Sequence, residues 1–92
     1  MAEWELVGDN QTPFYGVASK LPNGDDSMKM FLVRASGSDA LLGTVSVNLE
    51  HKEATVRSRM DQVEKELKIN IEDEGAYDTR LFPDLFLVGR KK

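Results

Sequence analysis

The stretch Thr55-Val56-Arg57-Ser58-Arg59-Met60-Asp61-Gln62-Val63-Glu64-Lys65-Glu66-Leu67-Lys68-Ile69 decides how the rest of the chain is read. Val56, Met60, Val63 and Leu67 fall four, three and four residues apart, which places them on one stripe of a 3.6-residue helix. Between them stand Arg57, Arg59, Asp61, Glu64, Lys65, Glu66 and Lys68, a charged opposite face. Arg57 with Asp61, Asp61 with Lys65 and Glu64 with Lys68 are spaced as supporting pairs on such a face. Thr55 is a competent N-cap, and Asn70-Ile71-Glu72-Asp73-Glu74-Gly75 is a stop. The spacing predicts an amphipathic helix over 55–69 with Val63 buried. A coiled-coil seam needs three or four heptads, and only about two are present.

Outward from this helix, the remaining segments read as strands. Trp4–Val7 alternates apolar and acidic residues, and Phe14–Leu21 resumes a strand-like composition after a polar loop. Pro22-Asn23-Gly24-Asp25 is a turn signal linking two antiparallel strands. In Met28–Ala35 the run Met30-Phe31-Leu32-Val33 lacks polar alternation, as in a strand covered on both faces. Ser36-Gly37-Ser38-Asp39 turns the chain, and Leu41–Leu49 alternates as a half-buried strand. Ala76–Phe82 adds a short strand before Pro83, Leu85–Val88 returns to the middle of the sheet, and Gly89-Arg90-Lys91-Lys92 leaves as a basic tail. The expected fold class is α+β, a mostly antiparallel sheet of about four to six strands packed on one helix. It forms a single domain over 1–92, with an N-terminal hairpin (1–27) added to a unit spanning 28–92.

Ninety-two residues hold one modest core and no second domain. The formal charge of −4 opposes nucleic-acid binding, which draws on a basic excess to displace counterions. There is no cysteine, so disulfides and thiolate metal sites are excluded. The acidic start Met1-Ala2-Glu3-Trp4-Glu5 reads as neither signal peptide nor membrane anchor. The expectation is a soluble cytoplasmic or nuclear protein without membrane insertion.

The strand pair Met28–Val33 and Thr44–Leu49, followed by Thr55-Val56 opening a helix, resembles the first half of a ubiquitin-like β-grasp domain. That resemblance implies that Leu85–Val88 lies parallel to Met28–Ala35, through a right-handed crossover. The chain ends in Gly89-Arg90-Lys91-Lys92 rather than Gly-Gly, unlike a conjugated modifier. It is more similar to the Ras-association and FERM-type subdomains, so the resemblance implies a docking module or adaptor.

Side chains for catalysis are few. His51 is the only histidine and sits in a charged junction. Ser36-Gly37-Ser38 lacks the flanks of a nucleophile elbow, and no glycine pattern meets a helix start as a phosphate loop requires. Glu72-Asp73-Glu74 supplies hard oxygen ligands but not the spacing of a calcium loop. Asn10-Gln11-Thr12 has the glycosylation pattern, followed directly by Pro13. No enzyme, cofactor or metal is expected. The candidate partner-binding residues are the aromatics Trp4 and Tyr15, as binding anchors, and the basic groups Arg57, Arg59, Arg90 and Lys91, which suit an acidic peptide or a phosphate group if they are adjacent. The expected function is a non-catalytic protein-interaction module that docks a partner through a sheet edge or helix flank. The alternatives are a self-associating subunit whose sheet is completed by another copy, giving a homo-oligomer, and a small protein inhibitor of an enzyme.

Overall fold

The structure, a computed structural model, describes residues 2–9, 12–19 and 27–91. It corrects the expected fold class, because among those residues there is no α-helix. Among the described residues eight strands run in sequence: β1 (Ala2–Gly8), β2 (Phe14–Ser19), β3 (Met28–Ala35), β4 (Leu41–Asn48), β5 (Glu53–Ser58), β6 (Lys65–Asn70), β7 (Gly75–Asp78) and β8 (Leu85–Lys91). They form two antiparallel sheets, ordered β2-β3-β4-β5-β6 and β1-β8-β7. The sheet-on-helix architecture implied by the β-grasp resemblance is therefore not found.

The stretch that reads as a helix is a β-hairpin. β5 pairs with β6 from Glu53↔Asn70 to Ser58↔Lys65, and the same register continues inward, with Arg59 bridging to Glu64 at 3.3 Å. Val63 N–H then donates to Met60 O at 3.1 Å across Asp61 and Gln62, which both have positive φ, 57° and 63°. Two left-handed residues in succession match the right-handed twist of the flanking strands, as in a type I′ turn. The deciding pattern is period two: Ala54, Val56 and Ser58 are buried while Arg57 is exposed, and Leu67 and Ile69 are half-buried between exposed neighbours. A helix following the Val56–Leu67 stripe would have turned Ile69 away from the core, roughly 200° from Leu67. Val63 is 51% exposed, not buried. The ion pairs are cross-strand: Arg57 meets Glu66 directly opposite at 2.9 Å, replacing the spacing-of-four pairs.

β3 occupies the range read from sequence and β4 stops one residue short of it, with Phe31, Val33, Val45 and Val47 directed to the core. The other half of the Met30–Val33 run is not covered as expected: Met30 and Leu32 are only half-buried, and Val17, opposite Leu32, is 44% exposed. β8 does not run parallel to β3; it lies antiparallel between β1 and β7 in the other sheet. Nor does Gly89-Arg90-Lys91 leave as a tail, since these residues continue β8 opposite Trp4, Glu3 and Ala2. The expected N-terminal hairpin is divided, with β1 on β8 and β2 on β3. The Pro22–Asp25 turn lies outside the described residues.

The core joins the inner faces of both sheets: Trp4, Leu85 and Leu87 from one, Phe31, Val33, Val45, Val47, Ala54 and Val56 from the other, with Ile71 and Phe82 from connections. Two close approaches fix the layering. A Cβ at Gly43 would stand 2.0 Å from Arg57 O and 2.7 Å from Phe82 Cζ, so Phe82 lies on the bare backbone of β4. Likewise a Cβ at Gly89 would stand 2.7 Å from the Trp4 ring. The single proton of the buried Thr79 hydroxyl is shared between Phe82 O (3.0 Å) and Leu85 O (2.9 Å), holding the turn that delivers Phe82.

Candidate functional site

Every strand is a sheet neighbour of its chain neighbours except at two seams, β1/β2 and β6/β7, and β1 closes on β8. The seams differ. At the first, Leu6 packs down on Gly16, where an added Cβ would fall 2.3 Å from its side chain, so the two unpaired strands are in contact. At the second, β6 and β7 barely approach each other although they follow directly in the chain.

β6 therefore has a hydrogen-bonded neighbour on one side only among the described residues. Its inward side chains show the consequence. Leu67 lies opposite Val56 and Ile69 opposite Ala54; Val56 and Ala54 are fully buried, whereas Leu67 and Ile69 remain half-exposed. Outward stand Glu66, Lys68 and Asn70, all exposed. β7 is also an edge, but only four residues long, which is a common way of blunting one.

At the end of β6 the chain borders a cleft of about 490 Å³ lined by Trp4, Leu49, Ile71, Lys52, Lys91 and the 72–74 loop. Lys52 spans its mouth to Asp73 at 3.4 Å, so the acidic run is partly neutralised from within the chain. Trp4 is buried and stacks on Tyr77, ring centroids 6.2 Å apart. Tyr77 anchors the same loop, accepting from Glu72 N–H (2.8 Å) and donating to Glu74 O (3.2 Å).

Of the six residues singled out from sequence, only Trp4 and Lys91 share this cleft. Arg57 and Arg59 lie on the β5–β6 hairpin, each paired to a glutamate, while Arg90 sits in the other sheet and pairs with Glu5 at 2.7 Å. The basic groups thus do not assemble into one patch. Tyr15 lies opposite Arg34 and donates its hydroxyl to Asp39 Oδ1 at 2.5 Å; this hydrogen bond raises the phenol above its ordinary pKa. His51 is exposed in the β4–β5 turn. Sequence reading missed Leu67 and Ile69 as edge residues, although their alternation, continued by Ile71, was the available signal.

The arrangement defines a class: among the described residues, an eight-stranded antiparallel meander folded into two sheets, packed together without strand pairing along one seam and apart along the other. No protein-family model, curated protein or solved structure matches the chain. No helix among the described residues is long and apolar enough to cross a membrane.

Proposed function

We propose that this protein is a non-catalytic protein-interaction domain that docks a partner along the free edge of β6. The observation that supports the reading is the half-burial of Leu67 and Ile69 on a six-residue strand paired on one side only. An incoming strand would satisfy the open row of N–H and C=O groups and cover both side chains, while every second residue of the partner faced the core side. Lys65 and Lys68 keep the edge from pairing indiscriminately, so the partner is selected by charge as well as by backbone. The adjoining Trp4–Leu49–Ile71 cleft offers an apolar seat beyond the strand's end. The helix flank has no counterpart, and the docking surface is the edge alone.

The test is selection of random extended peptides on the immobilised domain, followed by titration of the labelled protein and amide-resolved NMR. Selected peptides are expected to shift β6 amides and slow their exchange. Peptides that instead perturb β2 or the outer faces, or a selection that yields no binder, would contradict the reading.

A further inference from the structure

We infer that β6 pairs with β6 of a second copy of this chain, antiparallel, about a two-fold axis through Leu67. This rests on the reading of β6 as a docking edge and names its occupant. Side chains alternate along a strand, so a pairing that keeps both cores on the same side must match inward residues with inward and outward with outward. For a symmetric antiparallel pair within β6, that parity requirement puts a residue, never a peptide bond, at the centre.

The choice of centre is then decided by charge. An axis through Glu66 sets two glutamates face to face, and one through Lys68 sets two lysines face to face. An axis through Ile69 leaves Lys68 opposite Asn70 and carries Glu66 to Glu72 of the second copy, beyond the strand's end. An axis through Leu67 sets Glu66 opposite Lys68 of the second copy and Lys68 opposite its Glu66, with Leu67 against Leu67 on the inward side. Directly opposed unlike charges favour a cross-strand pair and like charges oppose it. Only this register places two unlike pairs around an apolar centre. Glu66 already accepts from Arg57 on its own sheet, and its second oxygen is available to the lysine. The five-stranded sheets of two molecules would join into ten strands; Leu67 would be covered by Leu67 of the second copy, and Ile69 by the aliphatic stem of its Lys65, which falls directly opposite on the inward side.

The experiment is sedimentation equilibrium of the full chain at about 10 µM and about 500 µM, where a reversible dimer declares itself by concentration. Four samples are compared: the native chain, Glu66→Lys, Lys68→Glu, and the double exchange. In the Leu67 register either single exchange creates two like-charge pairs and weakens the dimer about tenfold or more. The double exchange restores it, and so does mixing the two single variants, which complement each other. That mixture also controls for folding, since neither variant rescues the other unless both are folded. A native chain that stays monomeric at both concentrations overturns the second copy as occupant, while peptide selection still decides whether β6 docks anything else. Dimers that persist equally in all four samples overturn the register.

Discussion

The turn at Asp61-Gln62 gives the sharpest mutational test, because the double substitution Asp61→Asn, Gln62→Gly changes stability in opposite directions in a hairpin and in a helix. Both residues occupy left-handed backbone, φ 57° and 63°, in the corner that closes β5 on β6. For a residue with a Cβ, that conformation costs roughly 1–2 kcal/mol, which glycine avoids and asparagine reduces. Glycine returns roughly 0.5–1 kcal/mol of this through the greater freedom of its unfolded chain. The balance is a gain of about 0.5–1 kcal/mol in the hairpin. In the interior of a helix the same glycine would cost about 1 kcal/mol. Trp4, the only tryptophan and buried against Gly89, reports unfolding by fluorescence. With a urea slope of about 1–1.5 kcal/mol per molar for a chain of this size, the midpoint should rise by about 0.5 M. A midpoint that falls instead would refute the assignment of the turn.

Other expected outcomes follow from the same packing. Val56→Asp buries an unpaired charge and should cost about 3 kcal/mol or more, whereas Val63→Asp, half-exposed beside the turn, should stay within about 0.5 kcal/mol; equal damage in urea titrations would contradict the strand assignment. Gly43→Ala should lose at least about 1–3 kcal/mol, since its methyl meets the carbonyl oxygen of Arg57, and an unchanged midpoint would show that Phe82 does not lie on β4. Tyr15 should ionise above the ordinary tyrosine range near pH 10, because it must break its hydrogen bond to Asp39. The stabilisation from that bond is present below the unfolded-state pKa and is lost as pH rises through the folded one. Asp39→Asn should return the tyrosinate absorbance titration toward its usual position.

The parts of the fold legible in the sequence are those where one physical signal stands alone. Met28–Ala35 and Leu41–Asn48 declare themselves by β-branched and apolar composition between turns, and both are strands over nearly the expected residues. The 55–69 stretch carries two periodicities at once. Val56, Met60, Val63 and Leu67 fit a helix by spacing, while Ala54, Val56, Leu67, Ile69 and Ile71 fit two strands, and the turn between them is Asp-Gln rather than the Asn-Gly that announces a type I′ corner. Register and sheet membership are long-range properties, so nothing local distinguished β8 beside β1 from β8 beside β3. The candidate site was legible only in part. Trp4 and Lys91 do share a cleft, but Arg57 pairs with Glu66 where spacing set it against Asp61, Arg59 takes Glu64 where spacing set that glutamate against Lys68, and the edge itself was hidden inside the expected helix.

Among the described residues, 65–70 form a strand bonded on one side and open on the other, and amide hydrogen exchange resolved by residue reads that asymmetry out. Protection is expected to alternate along β6: amides directed at β5 exchange slowly, and those between them exchange nearly as fast as in an unfolded chain at low concentration. Uninterrupted protection from residue 59 through residue 69 would mean a helix, and uniform protection confined to 65–70 in the monomer would mean the edge is already closed. Either result would rule out a one-sided β6 strand.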